Sequence, residues 1–90
     1  MEKNYIEKLR SKLSEAIDVE PDLLDLYTLL VCVKGEECSL EDVHDAWAIW
    51  KNKTTPNHKS LIPFFELTSE VQEMDREYAE AIRRVWSQIK

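Results

Sequence analysis

The chain has little of what builds loops, sheets and cross-links. Among its 90 residues there are one glycine, three prolines and two cysteines. So few turn-formers weigh against a fold of many short strands and favour helices. Two cysteines, Cys32 and Cys38, make no disulfide framework; reduced thiols and a cytoplasmic setting are expected. No apolar run approaches the ~20 residues of a membrane span. The opening Met1-Glu2-Lys3-Asn4-Tyr5 lacks the basic-then-apolar form of a secretory signal. Basic residues are also in deficit. The formal charge of −6 weighs against sequence-independent binding to nucleic acid, which needs clustered Lys and Arg to displace counterions. It leaves small anionic ligands open, because local cations decide those.

What is present suffices for one packed domain. The apolar fraction is 43%, with three Trp, three Tyr and two Phe, which is too rich for disorder. A chain of this length buries a little over ~60% of its unfolded surface, so the core is small but adequate.

Hydrophobic periodicity predicts four helices in an all-α fold. Tyr5, Ile6, Leu9, Leu13, Ala16 and Ile17 fall at helical spacing from about Asn4 to Ile17. Pro21 suits the first position of a second helix, Asp22 to Lys34, with Asp22 on its N-terminal dipole. That helix is apolar almost all round, with Asp22, Asp25 and Thr28 as a narrow wet stripe. It belongs in the middle of a bundle or in a homo-oligomeric interface. Lys34-Gly35 supplies a C-cap. Ser39 and Asp42 form a capping box for a third helix, whose inward stripe is Leu40, Val43, His44, Trp47 and Trp50 or Lys51. Asn52 to Ser60 is a polar loop with Pro56. Leu61 to Leu67, with Pro63 inside, is extended and not a central strand. Ser69, with Gln72 three residues on, is expected to cap the last helix. Val71, Met74, Tyr78, Ala81, Ile82, Val85 and Ile89 line one face of it. Asp75, itself a good cap, allows a kink near Asp75-Arg76.

The region from Val43 to Asp75 gathers aromatic rings, both histidines and several lysines around the long connection. Each candidate has two readings. His44, on an apolar face, is either a core histidine bonded to a backbone carbonyl or a pocket donor to a phosphate or base. Trp47 suits the core, and Trp50, at the edge of the stripe, suits either a rim or a stacking platform. Lys51, Lys53, His58 and Lys59 make the one basic patch, either a solvated loop or an anion site in a partly dry cleft. Arg76 either joins that site or forms a surface ion pair with little energetic weight. Cys32, Cys38, His44 and His58 lack zinc spacing. No nucleophile has a recognisable local signature, so neither a metal, a cofactor nor catalysis is expected.

The run Val43-His44-Asp45-Ala46-Trp47, then His58-Lys59-Ser60-Leu61-Ile62-Pro63-Phe64, Glu66-Leu67 and Asp75-Arg76, resembles a short RyR domain, the module repeated in ryanodine receptors and found alone in bacterial and phage proteins. The whole chain is also similar to small proteins of actinobacteria and their phages. The Gly-Trp-x-Tyr-Gly segment usual in RyR repeats is replaced by Asn52 to Asn57, so contacts made by that segment do not carry over. The resemblance implies a single RyR-like helical domain over 1–90, with a helical pair over 1–38 and the motif region over 39–90. It also implies a binder of a nucleotide or nucleotide-derived signal, set in a phage–host conflict. The candidate ligand-binding residues are His44, Trp47, Trp50, Lys51, His58, Lys59, Ser60, Phe64 and Arg76. The alternative is a protein–protein adaptor without a small ligand, using the apolar second helix or the Trp50, Phe64 and Phe65 group.

Overall fold

A computed structural model describes residues 3–89. It is all-helical, with no strand among those residues. Four helices of twelve to fourteen residues carry the fold: α1 (Tyr5–Ala16), α2 (Pro21–Val33), α3 (Leu40–Asn52) and, at the end, α5 (Arg76–Ile89). A single-turn helix, α4 (Ser69–Glu73), precedes α5, and two 3₁₀ turns lie at Gly35–Glu37 and Phe64–Glu66.

The boundaries follow local chemistry. The Asn4 side chain accepts the Glu7 amide and starts α1. Pro21 opens α2, where its missing N–H costs nothing. Ser39 and Asp42 form the full capping box of α3. Gly35 has a φ of +56°, a left-handed conformation that glycine adopts without strain. Its bare Cα also admits the Trp86 indole, because a Cβ there would lie 2.9 Å from the ring.

The extent of 43 × 25 × 20 Å reflects an antiparallel α1–α2 hairpin with α3 and α5 packed on it. Helix α2 is central and touches α1, α3 and α5. Leu9, Leu13, Leu24, Tyr27, Val31, Val43, Ile82 and Val85 form the core between them. The Arg83 Nε donates to the Cys38 carbonyl at 2.8 Å and ties the α2–α3 connection to α5.

Four sequence expectations are corrected. Thr28 is buried instead of wet, since its hydroxyl donates to the Leu24 carbonyl at 2.8 Å and leaves no orphan group. The outward stripe of α2 is instead Asp22, Asp25, Leu29, Cys32 and Val33, so it starts charged and ends apolar. The cap of α4 is Thr68, one residue earlier than Ser69, because Gln72 is engaged elsewhere: its amide donates to the Phe64 and Leu67 carbonyls. Finally, Met74 and Ile89 are exposed, while Ala81, Ile82 and Val85 are buried.

Candidate functional site

The break between α4 and α5 opens a cleft. α4 lies against α3, and α5, which begins after Asp75, packs on the hairpin. The space between is about 700 Å³, within the range of small-molecule sites. Leu23 and Tyr27 come from α2, and His44 and Trp47 from α3. His58, Lys59 and Ser60 come from the connection, and Val71, Met74, Asp75, Glu77 and Tyr78 from the opposite side. A shallower hollow of about 370 Å³ lies on the outer side of α3, beside Ile49 and Ile62.

Aromatic rings set the walls. Tyr27 and Tyr78 stack at 5.6 Å. His44 stacks on Trp47 at 5.7 Å, and His58 stands edge-on to Trp47 at 5.2 Å. The histidines are oriented by backbone. His44 is buried and donates from Nε2 to the Ile62 carbonyl at 2.8 Å, pinning the strap after the loop onto α3. The carbonyl-bonded alternative for His44 is therefore the one realised at Nε2. His58 accepts the Ser60 amide at Nδ1, at 3.0 Å, so in this geometry its proton sits on Nε2, which remains a free donor.

The cleft carries both signs of charge. Lys59, Asp75 and Glu77 all line it, and Lys59 and Glu77 are exposed while Asp75 is half-buried. Burial pushes the Asp75 carboxyl up from 3.8 to about 6, and the nearby His44 offsets this in part. Burial likewise raises the Tyr27 and Tyr78 hydroxyls, with the Asp75 charge adding to both. Among the described residues, Asp75 has no ion-pair partner.

Five of the nine residues predicted from sequence thus meet at one cleft: His44, Trp47, His58, Lys59 and Ser60. The other four lie elsewhere. Trp50 donates from its indole to the Glu20 carboxylate at 2.9 Å, bracing α3 against the α1–α2 turn. The Lys51 ammonium lies over the Trp50 ring at 5.5 Å. Phe64 packs between His44 and Phe65. The guanidinium of Arg76 pairs with Glu73 through both carboxylate oxygens, at 2.7 and 3.0 Å. The cations expected to converge are therefore divided, and among the described residues Lys59 alone of the lysines lines the cleft. Sequence reasoning missed Tyr27, Asp75 as a cleft residue, and Tyr78. The available signal was the doubled cap pattern around Thr68 and Asp75, which marks a helix break and hence a concavity.

Among the described residues, no group of three or more His, Cys, Asp or Glu side chains could hold a metal ion, and no helix is long and apolar enough to cross a membrane. The geometry defines a small helical domain with one aromatic, mixed-charge cleft. The chain belongs to the family described as Domain of unknown function (DUF7701), whose model matches residues 2–87. No curated protein and no solved structure matches the sequence.

Proposed function

We propose that this protein is a small, non-enzymatic binder of a nucleotide or nucleotide-derived signal, held in the cleft between α2, α3, the 53–60 loop and the α4–α5 break. The observation that carries this reading is the pairing of aromatic walls, Trp47 with His44 and Tyr27 with Tyr78, with a single cation, Lys59, at the rim. A base is accommodated by the rings, where stacking contributes ~1–3 kcal/mol. A phosphate meets Lys59, the Nε2–H of His58 and Ser60 as charge-assisted donors. The similarity to RyR domains and to small actinobacterial and phage proteins supports a sensing or sequestering role in phage–host conflict. The two unpaired cysteines suit a cytoplasmic setting.

Titration calorimetry with nucleoside monophosphates tests the reading. Saturable binding that weakens about tenfold in Lys59→Ala, with the nucleotide recovered intact, supports it. Affinity unaltered by Lys59→Ala and His58→Ala together contradicts it.

A second reading is favoured by α2. Leu29 and Val33, one turn apart, are 53% and 62% exposed. This stripe suits a second copy of the chain or an adaptor partner. Sedimentation over a concentration range, with and without nucleotide, distinguishes self-association from ligand binding.

A further inference from the structure

We infer that Asp75 is the specificity-determining residue of the cleft, and that its carboxylate selects a base with two adjacent N–H donors, the guanine type, over adenine and uracil types. This rests on the nucleotide-binding reading above and goes beyond it by naming the base.

Asp75 is half-buried where α4 ends and α5 begins, and its neighbour Arg76 is turned outward onto Glu73. Among the described residues it has no ion-pair partner. Its oxygens still reach solvent, since among the described residues no fully buried side-chain oxygen lacks a hydrogen-bond partner; a guest that fills the cleft displaces that water and must bring donors of its own. A carboxylate offers two acceptor oxygens side by side. Guanine presents N1–H and N2–H side by side on its pairing edge and can satisfy both. Adenine presents an acceptor, N1, beside its N6–H₂ donor, and uracil flanks its one N–H with two carbonyls. Either sets lone pairs against the carboxylate. Rejection of this kind is strong, because it leaves a buried polar group unpaired. The rings around Asp75 are Tyr27, Tyr78 and His44, and Lys59 lies at the rim. A guest with its base edge inward and its phosphate outward therefore meets each group with its complement.

The charge state of Asp75 gives a second readout. The groups facing it are His44 from α3, Tyr27 from α2, His58 and Lys59 from the connection, and Glu77 and Tyr78 from α5. Its carboxyl titrates near pH 6. Below that pH it becomes an acid with one donor and one acceptor, which no longer matches guanine. The nucleotide's phosphate also loses charge near pH 6, but alike for all three bases, so a loss of affinity confined to the guanosine nucleotide reports Asp75.

The experiment is calorimetric titration of the full chain with guanosine, adenosine and uridine 5′-monophosphates, at pH 7.5 and pH 5, for wild type, Asp75→Asn and Lys59→Ala, with methylguanidine as competitor. The expected result is about 10- to 100-fold tighter binding of the guanosine nucleotide at pH 7.5, a range set by a bidentate pair. This preference falls about tenfold at pH 5, where a carboxyl titrating near 6 is about nine-tenths protonated, and is lost in Asp75→Asn, while Lys59→Ala weakens all three nucleotides equally. Circular dichroism of Asp75→Asn confirms that the variant is folded. Equal binding of the three bases, all weakened by Lys59→Ala, overturns the role of Asp75 and leaves the cleft reading intact. Methylguanidine competing as well as the nucleotide overturns the base assignment. No binding of any nucleotide removes both.

Discussion

At the scale of single residues, Asp75 is held at a cost to stability. Its carboxyl ionises near 6 in the folded protein against 3.8 ordinarily, chiefly through burial. Between those values the folded chain keeps a proton that the unfolded chain has released. Stability therefore falls as pH rises through this window, and the penalty is complete above about pH 6. A shift of two units corresponds to at most ~3 kcal/mol, and the half-exposed position, screened by solvent, reduces this to about 1 kcal/mol. Asp75→Asn is thus expected to stabilise the protein by about 1 kcal/mol at pH 7.5 and by nothing at pH 3.5, as measured by urea denaturation. Destabilisation at pH 7.5 would show that Asp75 is a structural residue. Gly35 poses the opposite case. An alanine there must adopt a positive φ and also displace Trp86, so Gly35→Ala is expected to cost about 2 kcal/mol or more. The cysteines divide in the same way. Cys32 is exposed, whereas Cys38 is buried and its thiol is pushed up to about 11. A thiol reagent should label one cysteine per native chain and two after denaturation.

At the scale of elements, the strap from Leu61 to Leu67 depends on α3. One bond, His44 Nε2 to the Ile62 carbonyl, joins them across eighteen residues of sequence, and Gln72 clasps the far end. His44→Leu is expected to cost about 1–3 kcal/mol. Hydrogen exchange at Leu61 and Leu67 should quicken while the α1–α2 hairpin remains protected. Trp50→Phe removes the bond to Glu20 and part of a ring packed on the core, is expected to cost about 1–2 kcal/mol, and should leave ligand affinity unchanged.

The same elements mark how far the sequence could be read. Helix starts were legible wherever the signal was local, as with Pro21 and the Ser39–Asp42 box. The α4 cap was misplaced by one residue because Gln72 answers to carbonyls of the strap, a tertiary demand that no local pattern carries. Thr28 was misjudged because a hydroxyl that bonds its own helix can be buried like an apolar group.

At the scale of the whole molecule, the candidate site was legible as a region but not as a shape. The Val43–Ser60 sequence supplied one wall and the rim. The floor and the other wall come from Tyr27 and Tyr78, fifty-one residues apart in sequence and stacked only because α2 and α5 pack together. The expected cluster of cations was dispersed by nearer partners: Glu73 holds Arg76, and the Trp50 ring holds Lys51. What remains is one lysine and one half-buried carboxylate lining the same aromatic cleft. The most direct test of that arrangement is tryptophan fluorescence of wild type and Lys59→Ala titrated with guanosine 5′-monophosphate at pH 7.5. Saturable quenching is expected, as the base settles on Trp47, with the midpoint moved about tenfold higher in the variant. An indole signal that does not respond, or identical curves for the two proteins, would contradict it.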